Sequence, residues 1–264
     1  MRRQCRFIGG LIAGLLVGVS GGTTGCQTPG TRTASEIELT RRAVRSGQYS
    51  AGEKLADAMI RETPTDPSTA ELLYLRGQCR LRLGRREAAR PDFDRALALA
   101  SEPELRMWLQ VQVGNMEFDD GCYAQAGVHY ARALPELPPE PPADRVLYQY
   151  GVALQRSQRF AEARRQFARL LTEFPDSSLA DAAGRKWAWT DSYFCIQCGA
   201  FSRLDLARKS AERLRSCGID TFLVRERRGQ QRYLVLAGRI RSHDEATSTL
   251  AQVRRFQPDA FIVP

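Results

Sequence analysis

The chain is poor in the residues that most often do chemistry. Its 264 residues include only two histidines, His129 and His243, so a histidine proton relay or a histidine-based metal cage has almost nothing to draw on. There is no glycine-rich phosphate loop and no nucleophile beside a base, and no second C-x-x-C accompanies Cys195–Cys198. Acidic residues scatter along amphipathic faces. These absences exclude the common enzyme constellations, so a non-catalytic chain without cofactor or metal is expected. Long apolar runs are also lacking. The apolar stretch at residues 8–19 is twelve long, short of the roughly 20 residues that span a bilayer. Dense single-sign charge blocks are absent too. The formal charge of +9 falls to +6 once residues 1–25, with their three arginines, are set aside, and residues 190–264 hold 13 basic against 8 acidic side chains. That local excess suits an anionic surface; nucleic acid is not an expected partner.

The N-terminus reads as an export signal: Arg2, Arg3 and Arg6, then the apolar stretch, then a small-residue tract ending T-G-C at Cys26. Those last residues resemble the lipobox of bacterial lipoproteins. The resemblance implies a signal peptide at 1–25, lipidation of Cys26 and a membrane anchor, followed by a flexible tether at 26–35. Plain secretion and an uncleaved anchor at 8–23 are the alternatives. All three place the body outside the cytoplasm, with a periplasmic location expected. Five cysteines remain beyond Cys26, namely Cys79, Cys122, Cys195, Cys198 and Cys217, enough for at most two disulfides.

The middle of the chain repeats. Gly77, Gly114 and Gly151 are 37 apart, each followed by Ala89, Ala126 or Ala163 and then by Phe93, Tyr130 or Phe167. Ala96, Ala133 and Leu170 extend the series, Pro138 and Pro175 close two units, and Tyr49, Tyr123 and Phe160 share a position. Small residues let two helices approach while the aromatic fills the groove beside them. The offsets resemble the tetratricopeptide repeat (TPR). This implies an all-α helical solenoid over 36–189, with an irregular first unit, a closing helix at the Trp187–Trp189 end, and a surface that recruits a partner, here an envelope protein.

Residues 190–264 contain two copies of one unit. Gly199 and Gly238 are 39 apart, as are Phe201 and Ile240, Ala207 and Ala246, Leu214 and Val253, Phe222 and Phe261, and Val224 and Val263. Ser202 with Asp205, and Ser242 with Glu245, give capping-box spacing for two helices. The order βαββαβ predicts a small α+β domain with a four-stranded antiparallel sheet and two helices on one face. The segments Ile196–Phe201 (I-Q-C-G-A-F) and Tyr233–Gly238 (Y-L-V-L-A-G) resemble the SPOR domain, which implies binding of peptidoglycan through the open sheet face. The favoured glycan strands are denuded ones, stripped of stem peptides, and the setting is often cell division. Strand alternation, with Phe222, Val224, Phe261 and Val263 turned to the helices, predicts Gln197, Leu223, Arg225, Leu234 and Leu236 as glycan-binding residues, beside Cys195 and Ile262. An alternative use of so apolar a face is a protein interface, which would make the chain an assembly scaffold. Cys195 and Cys198 fall on opposite faces and cannot bridge each other; a Cys198–Cys217 disulfide is one pairing left open. His243 is expected at the surface.

Overall fold

The computed structural model describes residues 29–62, 64, 66–226 and 232–264. The leader at 1–25 and Cys26 lie outside these residues. Four helical hairpins come first: α1 (Pro29–Arg45) with α2 (Tyr49–Glu62), α3 (Thr69–Arg82) with α4 (Arg86–Leu99), α5 (Pro103–Asp119) with α6 (Tyr123–Ala133), and α7 (Ala143–Arg156) with α8 (Phe160–Glu173). A single helix, α9 (Ala180–Ala188), packs on α8. α1 already begins at Pro29, inside the segment expected to be a tether, and proline in a first turn costs the helix no hydrogen bond.

The period of 37 has a steric origin. A Cβ added to Gly77, Gly114 or Gly151 would come within 2.7, 2.9 or 2.5 Å of the ring of Phe93, Tyr130 or Phe167 respectively. Each glycine is therefore the gap that the next helix's aromatic fills. In the first hairpin the pair is exchanged: Thr40 and Ala56 stand at the equivalent positions, and both are fully buried. Thr40 Oγ1 is satisfied within its own helix by donating to the Glu36 carbonyl at 3.1 Å. The turns inside the hairpins share the period as well, with Gly47, Gly84, Gly121 and then Gln158 all at positive φ. Gln158, at φ 64°, is the one side chain of the four forced into the left-handed region. Gln158→Gly is expected to raise stability by about 0.5–1 kcal/mol, read as a higher urea midpoint.

One buried charge went unseen in the repeat pattern. Asp92 on α4 is 3% exposed. It accepts from Arg76 at 2.5 and 3.0 Å and from Arg80 at 2.8 Å. The same arginines reach back to Asp57 and Glu53, so the network ties α2, α3 and α4.

The last segment forms β1 (Phe194–Phe201), α10 (Leu204–Ser216), β2 (Thr221–Glu226), β3 (Arg232–Ile240), α11 (His243–Val253) and β4 (Phe261–Val263). The sheet is antiparallel in the order β2-β3-β1-β4. Ala207, Ala211 and Leu214 of α10 and Ala246 and Val253 of α11 share one buried cluster with Ile196 and Val235, so both helices cover the same face. Ser242 caps α11 by accepting from Glu245 N–H at 3.2 Å. The matching cap expected at Ser202 does not form: α10 starts one residue later, with Arg203 at its N-cap, paired through its guanidinium to Asp205.

Candidate functional site

Register decides which side chains face away from α10 and α11. Gln197 pairs with Leu236 on β3 and Phe261 on β4, and Leu236 pairs in turn with Phe222 on β2. Paired residues of neighbouring strands share a face. Phe222, Leu236, Gln197 and Phe261 therefore form one row across the open face, and Val224, Leu234 and Ala200 form the next. Gln197, Leu234 and Leu236 thus stand where alternation predicts them.

Leu223 and Arg225 do not. Leu223 pairs with Val235 and packs into the helix-side core, and Arg225 pairs with Tyr233, which packs there too. Phe222, Val224, Phe261 and Val263, expected inward, are on the open face, while Ile262, expected outward, pairs with Ile196 and packs inward. The run F-L-V in β2 is apolar on both faces, so its composition carries no phase; only pairing with β3 fixes it. Two irregularities also reset the count. Cys198 is an extra residue between the pairs Gln197–Leu236 and Gly199–Val235, which keeps Ile196, Cys198 and Phe201 all inward. Opposite Cys195, β3 carries the other, at Gly238 with φ +71°.

The C-x-x-C pair is inert. Cys195 donates its thiol to the Gly238 carbonyl at 3.0 Å, and burial pushes it up to about 12; burial likewise pushes Cys198 up to about 11. Neither is a thiolate near neutral pH, as a metal ligand or redox nucleophile must be. All five described cysteines are free thiols, so Cys198 and Cys217 are not bonded. No cluster of three or more potential metal ligands occurs among the described residues.

The open face is not bare. The helical array bends back over it, and a cavity of about 420 Å³ remains between α9 and the sheet. One wall carries Gln197, Leu234, Leu236, Phe261 and Arg232; the other carries Arg185, Lys186 and Trp189, with Tyr148 of α7. Lys186 bolts the two parts together, donating to the Pro264 main-chain oxygen at 2.8 Å and to Gln155 Oε1 at 3.3 Å. Burial, then Arg156 and Arg185, pulls its ammonium down to about 8. Trp189 is anchored by donation to the Tyr193 carbonyl at 3.1 Å. Sequence reasoning placed Trp189 only at the end of the closing helix, turned Phe261 to the wrong face and passed over Arg185 and Arg232, because what brings the last two together is the docking of the two parts, which no local pattern encodes.

That docking has a second contact. Phe160, the first residue of α8, joins the C-terminal core with its ring 5.2 Å from Phe194. His243 is wedged between Tyr123 at 5.6 Å and Phe194 at 5.7 Å, so it is a joint residue rather than a surface one. Burial, then the Arg156 charge, holds its imidazole below the usual 6.5. A depressed histidine contributes stability that is present above the unfolded value and lost as pH falls through the folded one. The fall in Tm between about pH 7.5 and about pH 5 is expected to shrink in His243→Gln.

The SPOR domain model matches residues 190–264, and tetratricopeptide repeat models match 38–103 and 145–177. The chain carries tetratricopeptide repeats and a C-terminal SPOR domain. The hairpin α5–α6 lies between the matched repeats and has the same glycine–aromatic contact, Gly114 against Tyr130. SPOR domains bind peptidoglycan and occur in bacterial envelope proteins; TPR repeats mediate protein interactions, and both are binding modules. Among solved structures, a tetratricopeptide repeat protein from Parabacteroides merdae ATCC 43184 is 20% identical over 60% of this chain and 59% of its own, with a TM-score of 0.49. A Podosopora anserina putative kinesin light chain, with nearly identical TPR-like repeats, is 14% identical over 71% of this chain and 95% of its own, with a TM-score of 0.47. No curated protein matches the chain. Among the described residues no helix is long and apolar enough to cross a membrane.

Proposed function

We propose that this is a non-catalytic envelope protein whose SPOR domain grips denuded glycan strands of peptidoglycan while its repeats hold a second envelope protein. Residues 1–25 direct its export to the periplasm, and a lipid on Cys26 ties it to a membrane. Organisation of the envelope, including its division sites, is the setting this combination suits.

The observation that carries the glycan reading is Gln197 in one row with half-buried Phe222 and exposed Phe261, the fourth member of the row, Leu236, being buried. An amide with donors and an acceptor sits among apolar surfaces, matching the alternation of hydroxyls, N-acetyl groups and C–H faces on a sugar. For the partner, α1, α3 and α5 line a groove of about 1020 Å³ whose lining includes Tyr74, Trp108, Glu102 and Glu104. Arg41 in that groove is held bidentately by Glu71 at 2.5 and 2.7 Å. The scaffold alternative draws support from Phe261, 47% exposed, and Val224, 38% exposed, which suit a protein contact as well.

Co-sedimentation of the full chain with sacculi separates the two. Retention is expected to be higher on amidase-denuded sacculi than on intact ones. Gln197→Ala should weaken it about tenfold, the loss of one or two hydrogen bonds worth about 0.5–1.5 kcal/mol each. No retention on either preparation leaves the open face as a protein interface.

A further inference from the structure

We infer that the cleft is a two-walled site in which Arg185, supplied by the helical array, reads the free carboxylate that peptide removal leaves on a glycan strand. This rests on the glycan reading of the open face and adds its specificity determinant. A stem peptide is joined to its sugar by an amide on a lactyl carboxyl group. Hydrolysis of that amide removes bulk and creates one negative charge per site. Both changes suit this cleft. α9 stands across from the sheet, so a strand lying on Gln197 has a wall beside it that leaves less room for an attached peptide. The lining carries cations on both walls, Arg185 and Lys186 facing Arg232, and no Asp or Glu side chain.

The cations are not equivalent. The Lys186 ammonium is engaged by Gln155 and the Pro264 main-chain oxygen, so it fixes the wall and is not offered to a ligand. Arg185 is one residue earlier on α9 and exposed at the cleft, with a planar fork that can meet a carboxylate through two parallel hydrogen bonds. The cavity of about 420 Å³ falls within the range of roughly 300–1000 Å³ found for small-ligand sites. Arg185 is therefore a specificity residue that the SPOR domain borrows from the repeats.

The test uses the full chain and denuded sacculi, half of them treated with carbodiimide and methylamine so that each free carboxyl becomes a small neutral amide. Wild type should bind the amidated material about tenfold more weakly than the untreated. Arg185→Gln should bind untreated sacculi about tenfold more weakly than wild type, and should not distinguish the two preparations. Arg185→Lys, which keeps the charge but not the fork, should fall between. Equal retention of wild type on both preparations overturns carboxylate reading. Wild-type-like retention of Arg185→Gln on untreated sacculi overturns the role of the α9 wall. In both of those outcomes the glycan reading survives; wild type retained on neither material overturns it together with the inference.

Discussion

Phe167→Ala is expected to destabilise the helical array by about 3–5 kcal/mol, the usual loss for emptying a fully buried aromatic position. Phe167 has no exposed surface, and its ring sits in the space left by Gly151 and 5.9 Å from the ring of Tyr148. The residue opposite, Gly151, has no side chain to move into the void. The reciprocal change, Gly151→Ala, overfills the same contact, with its Cβ 2.5 Å from the Phe167 ring, and should cost about 1–3 kcal/mol. Combining Gly151→Ala with Phe167→Leu should cost less than the sum of the two, since each relieves the other. Urea unfolding of wild type, Gly151→Ala, Phe167→Leu and the double variant gives the cycle. Additive losses would mean that the 37-residue period reflects something other than this contact.

Phe160→Ala is expected to loosen the SPOR domain from the array, with a loss of about 3 kcal/mol and a split of one unfolding transition into two. Phe160 belongs to the C-terminal core, 7% exposed, and its ring stacks at a tilt on Phe194. The control is built into the repeat. Tyr49 occupies the equivalent position in the first hairpin and is only partly buried, so Tyr49→Ala should cost under about 1 kcal/mol and leave the transition single. Trp187 and Trp189 flank the joint while Trp108 lies in the array, so variants keeping one tryptophan at a time assign each transition by fluorescence. A single transition in Phe160→Ala, with an unchanged midpoint, would mean that the joint is held elsewhere.

The repeats were legible in the sequence because their physics is local. A glycine and an aromatic 16 residues apart meet within one hairpin, and the same meeting recurs at Gly77, Gly114 and Gly151. The small domain was legible to the same depth: Ala207 and Ala246, and Leu214 and Val253, are buried as the internal duplication requires. The site was half legible. Gln197, Leu234 and Leu236 lie on strands whose polarity or pairing marks the open face, whereas Leu223 and Arg225 lie on a strand whose phase is set only by its partner. The α9 wall was not legible at all. Arg185 and Trp189 reach the cleft through a docking held by Phe160, Lys186 and His243, residues whose partners lie between about thirty and well over a hundred positions away in the chain.

The most direct test of the central claim is hydrogen exchange on the full chain with and without a soluble denuded glycan oligosaccharide. Binding in the cleft predicts added protection in β1, β3 and β4 around Gln197, Leu236 and Phe261 and in α9, with none on α10 and α11. Protection confined to α10 and α11, or none anywhere at a concentration that saturates retention, would contradict it.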